Sequence, residues 1–220
     1  MKKLFTSQGR PLGLIILAGG YSRRMKSHKA MLPVPGGVLI ERTLDQLREH
    51  FAQVIVSVSD RRRFEFLPDC DMVEDPVQGQ GPMRGLHTAL PESRHEKNFV
   101  IACDIPVIRM NFLEDLISAA SSYEIAVPVK RQGQLEPLFA VYSRKVRPVM
   151  GKLLDSGERS LLPLFALCRT RRVPLDDSWM VNLNTRSDYK NFLKQNASKA
   201  SWGKNGKKQG MVNKSRGGER

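Results

Sequence analysis

Residues 12–20 read LGLIILAGG, a nearly continuous apolar run that ends in two glycines. Such a run is typical of a β-strand that is buried on both faces, as in the parallel sheets of α/β proteins. Further strand-like runs follow along the chain and alternate with amphipathic helical segments. This alternation predicts an α/β fold with a mostly parallel central sheet and right-handed crossover connections.

The predicted elements follow one another in regular order. We expect strands at 12–18, 53–59, 71–74, 98–103, 125–129, 135–142 and 170–174. The strand at 135–142 follows Gln132-Gly133, which predicts an antiparallel hairpin with the strand before it. We expect helices at 38–51, 81–90, 111–120, 146–154, 160–167 and 187–194. A single domain over residues 1–195 is large enough to hold them all around one core.

The chain of 220 residues carries a formal net charge of +14, and part of that charge is concentrated in residues 196–220. This segment contains seven Lys and Arg residues against one Glu, and only three large apolar side chains, Trp202, Met211 and Val212. It cannot bury enough apolar surface to offset the entropy of ordering, so we interpret it as a disordered, solvated tail. Nucleic acid or another acidic surface is the alternative partner for the tail, and we do not favour it.

The composition also bears on location and metal content. No apolar run approaches the roughly 18 residues of a membrane span, and the run at 12–18 is too short and too late for a signal peptide. We therefore expect a cytoplasmic protein with no membrane partner. The three cysteines lie far apart, and no Cys or His pair has metal-ligand spacing. This argues against a zinc site and against a disulfide framework.

The loop after the first predicted strand, residues 18–29, combines two glycines with several hydrogen-bond donors. Gly19 and Gly20 allow the backbone to approach a ligand closely, and Ser22, Arg24 and Lys29 supply donors and positive charge for a triphosphate. Neither a Walker A loop nor a G-x-G-x-x-G motif is present. The residues by themselves leave a phosphate site and a simple tight turn as equal alternatives.

Two other predicted strands end in carboxylates. Asp75 follows the short strand at 71–74, and Asp104 follows the strand at 98–103. In a parallel sheet, ligands bind at the carboxyl ends of the strands. Asp104 beside a basic loop suits Mg²⁺, which takes one or two carboxylates together with phosphate oxygens. A turn or helix N-cap role is the alternative for each aspartate.

These segments together resemble a known family. Residues 17–29 resemble the signature L-A-G-G-x-S-x-R-M-G-x-x-K of the molybdenum cofactor guanylyltransferases and their cytidylyltransferase relatives. The resemblance continues in the same order through EDP at 74–76, GPMRGL at 81–86, ACDIP at 102–106, LEPLFA at 135–140 and VNLNT at 181–185. It spans residues 12–193 and implies a Rossmann-like three-layer sandwich of the nucleotide-diphospho-sugar transferase type.

The resemblance implies a reaction. It implies transfer of GMP from GTP to the phosphate of molybdenum-molybdopterin, with release of pyrophosphate and with Mg²⁺ as cofactor. GTP and molybdopterin would be the substrates, and cofactor-biosynthesis or acceptor proteins are candidate partners. The alternatives are cytidylyl transfer to the same cofactor, a sugar-phosphate or polyol-phosphate nucleotidyltransferase, and a non-catalytic nucleotide-binding relative. Sugar-phosphate enzymes usually have G-T-R-M after the glycines, whereas this chain has Ser22-Arg23-Arg24-Met25. This difference disfavours the sugar-phosphate alternative.

The family's functional residues match this chain motif by motif. The resemblance implies that the nucleotide is bound by Leu17, Ala18, Gly19, Gly20, Lys29, Ser57, Asp75, Gly81 and Asp104. It implies Lys29 and Asp104 as catalytic residues, with Asp104 as the metal ligand, and we add Arg24 for its charge. Asn182 and Asn184 would bind the acceptor. The chain departs from the pattern at Lys26, which replaces a glycine, at Ser57, where guanylyl enzymes often have asparagine, and at Met83-Arg84, which replace a small apolar pair.

Overall fold

A computed structural model of the chain describes residues 3–19, 21–22, 27–75 and 79–196. Gly20, Arg24, Lys26 and the predicted tail after residue 196 lie outside these ranges, so the predictions made for them stay predictions. No helix in the described ranges is both long enough and apolar enough to cross a lipid bilayer.

The strands in the described ranges are β1 Gly13–Leu17, β2 Tyr21–Ser22, β3 Ser27–His28, β4 Pro33–Val34, β5 Gly37–Val38, β6 Gln53–Val58, β7 Asp71–Glu74, β8 Lys97–Ala102, β9 Ile125–Val129, β10 Phe139–Ser143 and β11 Thr170–Pro174. The α-helices are α1 Leu39–Leu47, α2 Gly81–Ala89, α3 Met110–Ala119, α4 Arg147–Asp155, α5 Leu164–Leu167 and α6 Arg186–Asn196. Short 3-10 helices lie at Lys29–Met31, Arg48–His50, Arg61–Phe64, Leu90–Glu92, Arg144–Val146 and Asp177–Trp179.

Seven strands form one sheet in the order β11-β9-β10-β8-β1-β6-β7. Every neighbouring pair is parallel except the two that involve β10, which runs antiparallel to β8 and β9. The predicted α/β fold, its mostly parallel sheet and the antiparallel strand after Gln132-Gly133 are therefore confirmed. The β2–β3 and β4–β5 pairs form two separate two-stranded ribbons beside this sheet.

Two predicted elements start four residues too early, and the α-helix predicted over 38–51 ends at Leu47, where a 3-10 helix follows. The strand predicted from residue 135 begins at Phe139, because the chain turns at Glu136, whose carbonyl accepts a hydrogen bond from the Phe139 N–H at 3.2 Å. The helix predicted from residue 160 begins at Leu164. The residues before it form a turn in which the Glu158 carboxylate accepts bonds from the N–H groups of Arg159 and Ser160.

Helices cover both faces of the sheet. On one face, Leu14 and Ile16 of β1 belong to a buried cluster with Leu44 of α1 and Leu116 of α3. On the other face, Ile15 belongs to a buried cluster that includes side chains of α2, α4 and α5. Because both faces of β1 are covered, its sequence is apolar at every position. The result is the predicted three-layer sandwich.

The connections between strands create a crevice. The chain passes from β1 to its neighbour β6 and then to β7, and α2 carries it back across β1 to β8 on the other side. The direction of winding therefore reverses at β1, and open α/β sheets bind ligands at the carboxyl ends of the strands beside such a reversal. The loops after β1 and β8 meet at this edge of the sheet.

Candidate active site at the carboxyl edge of the sheet

Lys29 and Asp104 form an ion pair across the crevice between β1 and β8. The Lys29 Nζ atom lies 2.7 Å from Asp104 Oδ2, and the two side chains are 19% and 18% exposed. The same ammonium group donates a second hydrogen bond of 2.7 Å to Asn184 Oδ1. Three segments that are remote in sequence therefore meet at one positive charge. The structure brings together two predicted catalytic residues and one predicted acceptor-binding residue.

The loop that carries Asp104 is held from two sides. The Asp104 carbonyl accepts a hydrogen bond of 2.9 Å from the Leu183 N–H. Two residues further on, the Pro106 carbonyl accepts one of 2.9 Å from Arg42 Nε of α1. Arg42 is buried, its pKa is lowered by that burial, and its guanidinium lies 5.4 Å from the centre of the Phe192 ring. These contacts fix the direction in which the Asp104 carboxylate leaves the sheet.

Asn182 lies next to Leu183 on the segment that contacts the Asp104 loop. Its Oδ1 atom is buried and accepts no hydrogen bond from any residue that the structure describes. Buried polar atoms in proteins are almost always hydrogen-bonded. Within the described ranges, the Asn182 Oδ1 atom is thus an unpaired oxygen acceptor on the segment that contacts the Asp104 loop.

Asp188, in the first turn of α6, binds the backbone of this segment. Its Oδ2 atom accepts hydrogen bonds from the N–H groups of Thr185 at 2.8 Å and Asn184 at 3.2 Å. The Asp188 N–H donates in return to Thr185 Oγ1 at 3.1 Å. The bonds from Thr185 lower the pKa of Asp188, and the bond from Asn184 and the charge of Lys29 lower it further. Asp188 is not among the predicted site residues, although Thr185 followed by an acidic residue three positions later is a helix-start signal.

Residues 17–19 pass between the ends of β8 and β6. The Leu17 carbonyl accepts a bond of 3.5 Å from the Cys103 N–H, and the Ala18 N–H donates one of 2.8 Å to the Ser57 carbonyl. A side chain at Gly19 would bring a Cβ atom to 3.2 Å from the Ser59 N atom. A larger residue at this position would require the loop or the end of β6 to shift by a few tenths of an ångström.

The remaining predicted nucleotide-binding residues lie along the same edge. Ser57 is 3% exposed and donates to the Gly85 carbonyl at 3.4 Å, so its hydroxyl lies between β6 and α2 rather than in the Lys29–Asp104–Asn184 cluster. Gly81 begins α2 with a φ of +75°. Asp75 follows the edge strand β7, and its N–H donates to the Val58 carbonyl at 2.9 Å.

Comparison with known proteins identifies the family. The model of the MobA-like NTP transferase domain matches residues 14–172. The chain belongs to this family. It is 33% identical over 198 residues to a protein of Methanosarcina mazei named probable molybdenum cofactor guanylyltransferase, an alignment that covers 81% of this chain and 88% of the relative. A protein of the same name from Pelotomaculum thermopropionicum is 34% identical over 183 residues, covering 79% and 88% of the two chains.

Solved structures show the same fold for this MobA-like chain. Molybdopterin-guanine dinucleotide biosynthesis protein A from Archaeoglobus fulgidus superimposes with a TM-score of 0.73 at 22% identity, covering 85% of this chain and 100% of that one. The 2-C-methyl-D-erythritol 4-phosphate cytidylyltransferase of Thermus thermophilus gives 0.63 at 16% identity, covering 84% and 98%. The predicted nucleotide-diphospho-sugar transferase-like architecture is confirmed.

One further ion pair lies at the same edge of the MobA-like domain. Lys130 follows β9 and pairs with Glu136, and the two side chains are 19% and 12% exposed. The neighbouring Leu138 carbonyl accepts a bond of 3.0 Å from the Ala102 N–H at the end of β8. Glu136 belongs to the LEPLFA motif at 135–140 and is not among the predicted site residues.

Proposed function

We propose that this protein transfers GMP from GTP to the phosphate of molybdenum-molybdopterin and releases pyrophosphate. The single observation that carries the proposal is the Lys29 ammonium group bonded at 2.7 Å to both Asp104 and Asn184. It joins the loop after β1, the end of β8 and the predicted acceptor segment at the reversal of the sheet. The named function of the relatives supplies the substrate class.

The reaction is an in-line displacement at the α-phosphorus of GTP. An oxygen of the acceptor phosphate forms a bond to that phosphorus, and the bond from phosphorus to the α–β bridging oxygen breaks. Pyrophosphate leaves with the bonding electron pair. Lys29 donates to phosphate oxygens and offsets their negative charge, and Arg24 supplies a second positive charge. Positioning and charge stabilisation of this kind account for most of the catalysis of phosphoryl-type transfers.

The chain's other residues bind and orient the two substrates. Backbone groups of Leu17, Ala18 and Gly19, with Gly20, hold the base and ribose in the crevice. Gly81 at the start of α2, and Asp75 after β7, border the nucleotide on the other side of β1. Asn182 and Asn184 face the acceptor. Ser57 contributes by holding residues 17–19 in place, because its carbonyl accepts the Ala18 N–H and its hydroxyl is bonded to Gly85.

The residues around Asp104 fit Mg²⁺. The described residues contain no group of three or more His, Cys, Asp or Glu that could hold a metal ion. Mg²⁺ is commonly held by one or two carboxylates, with phosphate oxygens and waters completing six ligands. Asp104 supplies one carboxylate oxygen, and the buried Asn182 Oδ1 is an oxygen acceptor on the adjoining segment. When bound, the ion would neutralise charge on the phosphates.

Pyrophosphate release from the purified protein with Mg²⁺ and molybdopterin tests the proposal. GTP, CTP and ATP are compared at equal concentration. We expect release with GTP and a marked loss in Asp104→Ala, with Asp176→Ala as a matched control because Asp176 is 55% exposed, pairs with Arg131 and follows the outermost strand β11. A preference for CTP would move the protein to the cytidylyl branch. No release with any nucleotide by folded protein would overturn the proposal.

A further inference from the structure

Residues 182–185 are fastened at three points. Leu183 is fully buried and its N–H binds the Asp104 carbonyl at 2.9 Å. The N–H groups of Asn184 and Thr185 bind Asp188 Oδ2. The Asn184 side chain binds Lys29 Nζ at 2.7 Å. The segment is therefore a short bridge between the first turn of α6 and the predicted catalytic lysine.

The contact between Asp188 and Asn184 goes beyond ordinary helix capping. In a capping box, the first hydroxyl side chain binds an N–H in the first turn, and the acidic side chain three residues later binds the N–H of the capping residue. Thr185 and Asp188 make both of these bonds. The additional bond from the Asn184 N–H lies outside the box and points back towards the site.

Asn184 needs such a restraint. Its side chain is exposed at the mouth of the crevice, where packing does not select one rotamer. Its backbone is held in a tight turn, since the Asn184 N–H also lies 2.9 Å from the Asn182 carbonyl. With the backbone fixed at both ends, Asn184 Oδ1 is directed at the Lys29 ammonium group.

We propose that Asp188 is a positioning residue, whose carboxylate fixes the backbone of Asn184 so that Asn184 Oδ1 holds Lys29 in place. The contacts run from Asp188 through Asn184 to Lys29 and Asp104. In this role Asp188 acts through Asn184 and Thr185 and not by binding a substrate. The effect of Asp188 on catalysis depends on the proposed function being correct. Its effect on the position of Lys29 is independent of that function.

The first experiment observes Lys29 without added nucleotide. Side-chain ammonium groups of ¹⁵N-lysine-labelled protein are recorded by ¹H–¹⁵N NMR, and the Lys29 signal is assigned by its loss in Lys29→Arg. We expect Asn184→Ala and Asp188→Ala to shift or broaden this signal in the same way, and Asp188→Asn to do so less. Asp176→Ala is the matched control, because Asp176 caps the 3-10 helix at Asp177–Trp179 through the Ser178 N–H. It should leave the signal unchanged.

The second experiment is a double-mutant cycle on pyrophosphate release and on the melting temperature. The effects of substitutions at interacting residues do not add. Asp188→Ala should therefore lower kcat/KM by about tenfold in the wild-type background, but by less than about twofold in the Asn184→Ala background. Its effect on the melting temperature should be equal in both backgrounds, because the capping box with Thr185 is lost in each.

The outcomes separate this proposal from the proposed function. Equal losses of kcat/KM in both backgrounds, or an unchanged Lys29 signal in Asp188→Ala, would show that Asp188 serves only to cap α6. If wild-type protein releases no pyrophosphate with any nucleotide, the proposed function fails, and the Lys29 signal alone still decides whether Asp188 positions the lysine.

Discussion

Lys29 Nζ lies 2.7 Å from Asp104 Oδ2, and this ion pair connects the loop after β1 to the loop after β8. A pair that is less than one-fifth exposed loses much of its hydration, so it is favourable only when further hydrogen bonds complete it. Asn184 supplies one such bond to Lys29, and the Leu183 N–H anchors the backbone of Asp104.

Replacing Lys29 with methionine should weaken nucleotide binding. Methionine keeps most of the length of the side chain but removes the charge, so the phosphates lose a charge-assisted hydrogen bond. We expect the dissociation constant for GTP, measured by fluorescence titration, to rise about tenfold or more. Lys145→Met is the control, because Lys145 is 70% exposed and lies at the opposite edge of the sheet, beside Glu96. An equal effect of both variants would indicate general electrostatics rather than a site.

Replacement by alanine should destabilise the protein more at Gly81 than at Gly79. Both residues have positive φ, +75° and +78°, a conformation that costs an alanine roughly 1–2 kcal/mol. A Cβ atom at Gly81 would also lie 3.1 Å from the Arg159 carbonyl oxygen, whereas one at Gly79 would meet nothing within 4 Å. We expect Gly81→Ala to lower the free energy of urea unfolding by more than Gly79→Ala. Equal losses would mean that the Arg159 loop moves away at no cost.

The cysteines should differ in reactivity in the native protein. Burial raises the pKa of Cys103 and raises that of Cys168 to about 11, and Asp104 raises the pKa of Cys103 further. The thiolate is the reactive form, so both should be almost inert to a disulfide reagent at pH 7.5. Cys70 is only partly buried, and we expect it to react first. Rapid reaction of Cys103 in folded protein would contradict the packing at the end of β8.

Asp188 should contribute to stability in a pH-dependent way. Its folded pKa lies below the ordinary value, so the ionised carboxylate stabilises the folded state above the unfolded pKa, and this contribution is lost as pH falls through the folded pKa. We expect wild-type protein to melt at a higher temperature than Asp188→Asn at pH 7. The difference should shrink as the pH is lowered below about 4. A difference that is constant with pH would show that the charge of Asp188 does not contribute.

The sequence predicted the framework because the framework is made of local patterns. Strand β1 is buried on both faces and is therefore apolar throughout, and β8 is apolar from Phe99 to Ala102, which makes both easy to recognise. The ribbons β2–β3 and β4–β5 were not predicted, because a strand of two residues is too short to show the alternation of apolar and polar residues by which strands are recognised. The start of α5 was also missed, since the apolar residues Leu161 and Leu162 precede it in a turn and imitate a helical face.

The site was predicted only in part, because many of its contacts join residues that are far apart in the sequence. Lys29, Asp104 and Asn184 were identified one by one from motifs, and the structure adds that a single ammonium group joins them. The contacts that hold them in place link residues far apart in the chain, such as Arg42 with the Pro106 carbonyl. No short-range pattern encodes such contacts. Asp188 is the exception, because its capping signal was present in the sequence.

The most direct test of the account follows the phosphorus atoms of GTP. The protein is incubated with Mg²⁺, molybdopterin and GTP labelled with ³²P at either the α or the γ position. We expect the α label in a molybdopterin-guanine dinucleotide product and the γ label in pyrophosphate, with both reduced about a hundredfold or more in Asp104→Asn. Release of the γ label as inorganic phosphate, or no transfer of the α label by folded wild-type protein, would contradict the account.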